Sequence, residues 1–317
     1  MRQRAVDIFI LSGFLGSGKS TLLKQLLQVE KRNERKIGVL MNELGEVSVD
    51  SSIIPNDTPL KEMLNGCICC TIQGELSLQL TSLLEEHDLD AIYIEATGVA
   101  HPLEVIDACT HPLLAGKVEI KAVITVINAI QWHEGKMSIK LRKLMKKQAE
   151  YADLVLINKT DQVNESVIEM VKKNVQEVNQ WARILPVMYA NIDPSMLYSS
   201  ENRSTNRFLP QEVHDDSHIH KHLHLRTITV PMDRPIDRVQ FVQLLKKMNR
   251  HLFRAKGFIQ LKETPGIFLF NYSYGEPMFE RCEKHYEPIL VFIGDDELER
   301  SKIEKELFEM QNIGIGK

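Results

Sequence analysis

The sequence predicts an α/β architecture, a mostly parallel sheet covered by helices on both faces, followed by a small C-terminal α+β domain with an antiparallel sheet. Three observations carry that expectation. Apolar segments rich in β-branched residues at about 6–12, 36–42, 90–95, 120–128, 153–158 and 184–188 alternate with amphipathic stretches at about 19–31, 75–87, 101–110, 139–150 and 164–180, the alternation that builds parallel sheets. From Asn191 to Ser217 the composition shifts to Ser, Asn, Asp and Pro, which marks a linker. Beyond it, "LRTITVPM", "GFIQL", "GIFLFNYSY" and "PILVFIG" read as strands, with helical patterns near 235–249 and 296–310. The expected division is a first domain over about 1–195, a linker over 196–217 and a second domain over 218–317, with no internal repeat.

Composition narrows the function classes. The 317 residues are 43% hydrophobic, enough to fill two cores, and 39 basic against 43 acidic side chains give a net charge of −4. With a pI near 6.3 there is no broad positive field for a phosphate backbone, which argues against a nucleic-acid partner. No apolar run approaches the roughly 18 residues of a membrane span, and Asp7 interrupts the apolar stretch after "MRQR", so a membrane or secretory role is not expected either. Of five cysteines, Cys67, Cys69 and Cys70 cluster while Cys109 and Cys282 stand apart, a pattern that suits free thiols in a reducing cytoplasm better than a disulfide framework.

Taken in order, the elements deliver motifs to strand ends. The run Val6 to Leu11 reads as a buried parallel strand, and it is followed by "GFLGSGKST", in which Gly13, Gly18, Lys19 and Ser20 form G-x-x-x-x-G-K-[ST], with Gly16, Ser17 and Thr21 completing the segment. "KSTLLKQLLQVEK" then spaces leucines helically, so the motif lies on a strand–loop–helix unit of the P-loop NTPase type. Backbone N–H groups of such a loop face a triphosphate, Lys19 reaches the β/γ-phosphates, and the Ser20 hydroxyl ligates Mg²⁺. "DAIYIEATG" carries Glu95 at a strand end, where a carboxylate meets the Mg²⁺ hydration shell, and Gly98 three residues on, whose N–H can sense a γ-phosphate. "ADLVLINKTD" ends a strand in Asn158, Lys159 and Asp161, the pattern N-K-x-D. The Asp161 carboxylate can accept the N1–H and N2–H₂ donors of guanine, a pair adenine lacks; Asn158 can meet the base edge and the Lys159 stem can cover its face, so GTP is expected over ATP. No residue stands out as the glutamine that positions water in other GTPases.

The segment "NGCICC" admits three readings. Free cysteine is a frequent small core residue, and Cys67 with Cys70 also satisfies the redox motif C-x-x-C. Three thiols in four positions beside Gly and Asn fit a metal loop better, since thiolates select Zn²⁺ or other soft ions in a tetrahedral site that Glu46, a histidine or water could complete. A second concentration is "HDDSHIHKHLHLR": if extended, it projects His218, His220, His222 and His224 to one side at period two, as a solvated linker or as a weak metal-collecting segment.

In combination, "GFLGSGKST", "NELGEVSVD", "NGCICC", "EATG", "NKTD" and a C-terminal "RAKGFI" resemble the CobW-like metallochaperone GTPases, relatives of the nickel-insertion GTPases that serve urease and hydrogenase. The resemblance covers nearly the whole chain and implies a GTP hydrolase that binds Zn²⁺ or a similar ion and hands it to a client protein. It implies that Lys19, Ser20 and Glu95 act in hydrolysis. It places the nucleotide at Gly13, Gly16, Ser17, Gly18, Lys19, Ser20, Thr21, Gly98, Asn158, Lys159 and Asp161, and the metal at Cys67, Cys69, Cys70 and Glu46 of the first switch. One position departs: some members carry a glutamate immediately before the Asn of "NELGEVSVD", where this chain has Met41. The rival is a non-catalytic metal-buffering or metal-sensing protein with GTP as a structural ligand. The sequence leaves self-association into a homo-oligomer open.

Overall fold

Runs of Val, Ile, Phe and Tyr without polar alternation form strands buried on both faces, and β1 (Val6–Ser12) and β4 (Ala91–Glu95) are such strands. The computed structural model describes residues 5–42, 58–63, 72–193, 226–248, 250–273, 276–294 and 297–312. The chain divides into two compact units, one of Met1–Ala108 with Val118–His222 and one of Cys109–Lys117 with Leu223–Lys317.

In the first unit β1 leads to α1 (Lys19–Arg32), β2 (Ile37–Asn42), β3 (Leu60–Met63), α2 (Ile72–Glu86), β4 and α3 (Pro102–Cys109). After it come β5 (Val118–Asn128), α4 (Ala129–Glu134), α5 (Ile139–Glu150), β6 (Leu154–Asn158), α6 (Glu165–Val178) and β7 (Arg183–Pro186). The seven strands form one sheet, ordered β3-β2-β4-β1-β5-β6-β7, and every pairing is parallel. The chain builds outward from β1 to β2 and β3 on one side, returns to β4, then crosses to β5, β6 and β7. That reversal beside β1 puts a crevice at the carboxyl edge of the sheet. Helix α1 is docked by Leu22, Leu23, Leu26 and Leu27, all buried. Its fully buried Glu30 is answered by the Tyr93 hydroxyl, which donates at 2.6 Å, and by the Arg35 guanidinium at 3.1 Å, which also holds Asp7 at 2.8 Å. Paired in this way a buried carboxylate is tolerated, and it locks the far end of α1 to β1 and β4.

Three elements were not expected from the sequence. Strand β3, "LKEM", is too short and too charged to show a period; α4 has six residues and is set by its ends, Asn128 Oδ1 accepting from Ile130 N and Gln131 N and Gly135 closing it at φ 56°. Strand β11 contains Pro277, which a sheet accepts at an edge, and there it lies.

The second unit comprises β8 (Arg226–Pro231), α7 (Arg238–Met248), β9 (Leu252–Gln260), β10 (Ile267–Ser273), β11 (Glu276–Arg281), β12 (Ile289–Gly294) and α8 (Arg300–Asn312). Its five strands are antiparallel in the order β11-β10-β9-β12-β8, and Phe241, Phe270, Phe292, Ile303 and Leu307 fill the core between sheet and helices. The segment Cys109–Lys117, inside the span expected for the first domain, belongs to this unit. Its 3₁₀ turn Pro112–Leu114 packs on β9 and β12, and the His111 ring meets Phe258 edge-on at 6.4 Å. Among the described residues no helix is long and apolar enough to cross a membrane.

Candidate functional site

The segment between β1 and α1 wraps around the start of the helix. Gly13 has φ 132°, and a Cβ there would fall 2.1 Å from the Val126 carbonyl oxygen; at Gly18, φ 116°, it would fall 2.4 Å from Asn158 Nδ2. Both positions therefore exclude any other residue, for backbone conformation and for space. At Gly16 nothing lies within 4 Å of a Cβ, so the loop is open on that side. The buried Ser17 Oγ has no hydrogen-bond partner among the described residues. Lys19 folds back over the loop, its ammonium donating to the Gly13 carbonyl at 2.9 Å and to Phe14 at 3.5 Å. An open cradle of N–H groups, an orphan hydroxyl and a tethered ammonium at a helix N-terminus fit an oxyanion ligand of the phosphate type. Thr21 is exposed on the next position of α1.

Beside this cradle the Ser20 hydroxyl donates to Glu95 Oε1 at 2.8 Å, with Glu95 nearly buried at the end of β4. A hydroxyl and a carboxylate held together next to the cradle are hard oxygen donors of the kind that fit Mg²⁺, directly or through water. Gly98 presses on the loop, where an added Cβ would lie 2.6 Å from Leu15 N. Its segment is tied down by Ala96 N donating to Leu11 O and Ala100 N donating to Thr97 O, both at 2.9 Å. His101 follows, with Nδ1 accepting from Leu103 N at 3.3 Å; burial lowers its pKa, opposed by Glu104, and keeps the ring neutral.

The third strand end is β6. Lys159 stands in the left-handed region at φ 63°, half-buried, and Asp161 is exposed in the turn Thr160–Gln162. Asn158 is buried, and its amide makes two hydrogen bonds within the protein. Its Nδ2 donates to Ser17 O at 2.8 Å and its Oδ1 accepts from Ala190 N at 2.8 Å, so it bolts the phosphate loop to the turn after β7. Each bond uses one of the two amide hydrogens and one of the two oxygen lone pairs, so the bridging role leaves an N–H that can still meet a base edge.

Sequence reading passed over two groups here. Tyr189 and Ala190 both have positive φ, 54° and 53°, and Gln25 Nε2 donates to Tyr189 O at 2.9 Å, which places a held turn beside Asn158. The second is Gln148 on α5, whose Nε2 donates to Gly98 O at 3.1 Å and Ala100 O at 3.2 Å. Its signal was legible: a Gln at the apolar spacing Met145, Gln148, Ala149.

The expected metal ligands Glu46, Cys67, Cys69, Cys70, His218, His220, His222 and His224 lie outside the described residues. Among the described residues no group of three or more His, Cys, Asp and Glu is placed to hold a metal ion. What is described is where their segments start: Asn42 of β2 is in register with Met63 of β3, and Met41 with Glu95 of β4. Met41 is buried in the core under the sheet, so the departure noted above replaces a carboxylate with a core side chain.

Residues 7–186 match the CobW/HypB/UreG nucleotide-binding domain, and residues 225–311 match the cobalamin synthesis protein cobW C-terminal domain. The chain is 32% identical over 283 residues to the zinc chaperone YjiA of Escherichia coli, covering 84% of this chain and 85% of that one. It is 24% identical to the zinc-regulated GTPase metalloprotein activator 1 of Dictyostelium discoideum, over 95% of this chain and 79% of that one. Among solved structures, the Zn(II)-bound YjiA GTPase from E. coli superposes with a TM-score of 0.47 at 25% identity, over 97% and 99% of the two chains. A glycine cradle, a Ser–Glu pair and N-K-x-D at three strand ends of one parallel sheet thus coincide with a domain match over more than half the sequence: the chain belongs to the CobW/HypB/UreG family.

Proposed function

We propose that the protein hydrolyses GTP with Mg²⁺, binds Zn²⁺ or a similar divalent ion at the thiols Cys67, Cys69 and Cys70, and delivers that ion to a client protein. The observation that carries the reading is the contact between Ser20 and Glu95 at the lip of the glycine cradle, since it joins a metal-binding hydroxyl and carboxylate to a phosphate site. Two relatives being named a zinc chaperone and a zinc-regulated GTPase metalloprotein activator supports the metal and the nucleotide.

The residues divide the work. On arrival of a triphosphate, Lys19 exchanges the carbonyls of Gly13 and Phe14 for phosphate oxygens, and the loop N–H groups and Ser17 hydroxyl complete the cradle. Ser20 and Glu95 would hold Mg²⁺, directly or through water, and the ion would supply electrostatic stabilisation of the charge that develops on the phosphate oxygens. Gly98 offers its N–H where the γ-phosphate ends, and Asp161 and Lys159 meet guanine.

Metal handling follows from chain length. Glu46 stands four residues beyond Asn42 and Cys67 four beyond Met63, two positions paired in the sheet, and four residues span at most roughly 14 Å. β2 lies next to the strand that ends in Glu95 and β3 lies next to β2, so both segments depart from the same edge of the sheet, on the side of β4 away from β1, and a loop answering the γ-phosphate and the thiol loop can share one ion. The cargo then binds more tightly with GTP and loosens after hydrolysis, when the switch is released.

The test is turnover: purified protein with GTP and Mg²⁺, with and without Zn²⁺, phosphate release being followed alongside Zn²⁺ affinity in the apo, GTP-analogue and GDP states. Zn²⁺-dependent turnover with unequal affinities is expected. Absence of hydrolysis under every metal condition would replace this reading with that of a metal-buffering protein.

A further inference from the structure

Gln148 is 1% exposed and sits on the buried stripe of α5 between Met145 and Ala149. A primary amide on such a face costs free energy unless its hydrogens are satisfied, and both go to one place: the Gly98 carbonyl at 3.1 Å and the Ala100 carbonyl at 3.2 Å. The helix that carries it is fixed. Thr125 Oγ1 of β5 donates to the Gln148 carbonyl at 2.7 Å. The end of α5 is held by Asn179 Nδ2, which donates to Ala149 O at 2.9 Å, Glu150 O at 3.0 Å and Ala152 O at 2.9 Å.

On its other side the same turn is pressed against the phosphate loop, Gly98 having no room for a Cβ beside Leu15. The turn Thr97–Ala100 is therefore clamped between a rigid helix and the phosphate cradle, with its own 2.9 Å hydrogen bond from Ala100 N to Thr97 O. Two carbonyls tied to α5 fix how the turn is rotated, and the Gly98 N–H is fixed with it.

We propose that Gln148 is a positioning residue: it sets the orientation of the Gly98 turn so that a γ-phosphate, and not the β-phosphate of GDP, is recognised through Gly98. This rests on reading the site as one for guanosine triphosphate. Both Gln148 amide hydrogens are committed to the carbonyls of the Gly98 turn, so its effect falls on what distinguishes GTP from GDP and on the rate of the chemical step, and not on binding as a whole.

The experiment uses the full chain with Gln148→Leu, which keeps the bulk and removes the donors, and Gln148→Glu, whose carboxylate repels both carbonyls but whose protonated form can donate to one. Affinities for GDP and for a non-hydrolysable GTP analogue, kcat and KM for GTP, and the unfolding temperature are measured. For Gln148→Leu we expect GDP affinity within about threefold of the parent, while the analogue-over-GDP preference and kcat fall by about 10–100-fold, as for two lost buried hydrogen bonds. In Gln148→Glu the preference and kcat should recover, relative to the parent at the same pH, as pH is lowered from 8 to 6, and this variant decides the matter if Gln148→Leu does not fold. Equal losses for GDP and the analogue, or a retained preference in a folded variant, would overturn the proposal. If the parent binds both nucleotides but never hydrolyses GTP, the proposed function falls while the affinity ratio still judges Gln148.

Discussion

Asn158→Asp tests the bridging role that the tertiary structure assigns to the first residue of N-K-x-D. The substitution keeps the volume and the acceptor for Ala190 N, but it replaces the Nδ2 that donates to Ser17 O at 2.8 Å with an oxygen facing that carbonyl. The side chain is 2% exposed. It cannot turn away, because the Gly18 Cα backs onto Nδ2 so closely that even a Cβ would lie 2.4 Å from it. Losing one buried hydrogen bond and stranding its acceptor costs about 1–3 kcal/mol, and protonating or distorting the new carboxylate adds roughly another 1 kcal/mol. At about 2–4 °C per kcal/mol for a unit of this size, the unfolding temperature should drop by about 5–15 °C. Since the bridge shapes the loop around phosphates common to both nucleotides, GTP and GDP affinities should fall by the same factor. Calorimetric unfolding with nucleotide titration measures both. An unchanged unfolding temperature with an altered preference between guanine and adenine would refute the bridge and leave Asn158 with a role at the base edge alone.

Asp161→Asn exchanges an acceptor for an amide and should shift preference from guanine toward xanthine, read by competition between the two nucleotides; unaltered preference removes Asp161 as base reader. Gly13→Ala forces a Cβ to 2.1 Å from the Val126 backbone oxygen of a central strand at φ 132°, so a loss of at least about 3 kcal/mol, or no folded protein, is expected from denaturant unfolding. Replacing Cys67, Cys69 and Cys70 by Ser should remove the tightest Zn²⁺ equivalent in a chelator competition, whereas deleting His214 to His224 should remove weaker equivalents only; the reverse order would exchange their roles. Burial, reinforced by Lys256, pushes His111 down to about 4 from 6.5. The unfolded chain therefore gains protons first: His111 costs nothing above pH 6.5 and destabilises the second unit progressively as pH falls toward 4, by on the order of 3 kcal/mol. Stability of His111→Asn against pH, compared with the parent, should lack that component.

Much of the molecule was legible before any coordinates. The strands around Val6–Ser12, Ala91–Glu95 and Leu154–Asn158 announce themselves as apolar runs because both faces are covered, and α1 and α6 through leucine, isoleucine and valine at helical spacing. The glycines and lysine of the phosphate loop are equally plain, since their chemistry depends on local spacing. The short elements β3 and α4 escaped because four or six residues contain too little of a period to detect, and β11 because its proline argues against a strand until the edge position is known.

By itself, then, the sequence determined the two kinds of sheet, the strand ends that form the candidate site and the kinds of atom presented there. Tertiary structure alone decided whom the buried amides meet. Asn158 reaches Ser17 across 141 residues and Gln148 reaches Gly98 across 50, and no local pattern encodes which carbonyl a buried donor finds. The same holds for Cys109–Lys117, which lies between two elements of the first unit yet packs with the second. The reason is physical: periodicity reports whether a face is apolar, but a buried polar group or a short turn takes its partner from the packing of elements remote in the chain, and that is fixed only when the sheet and its helices close around it.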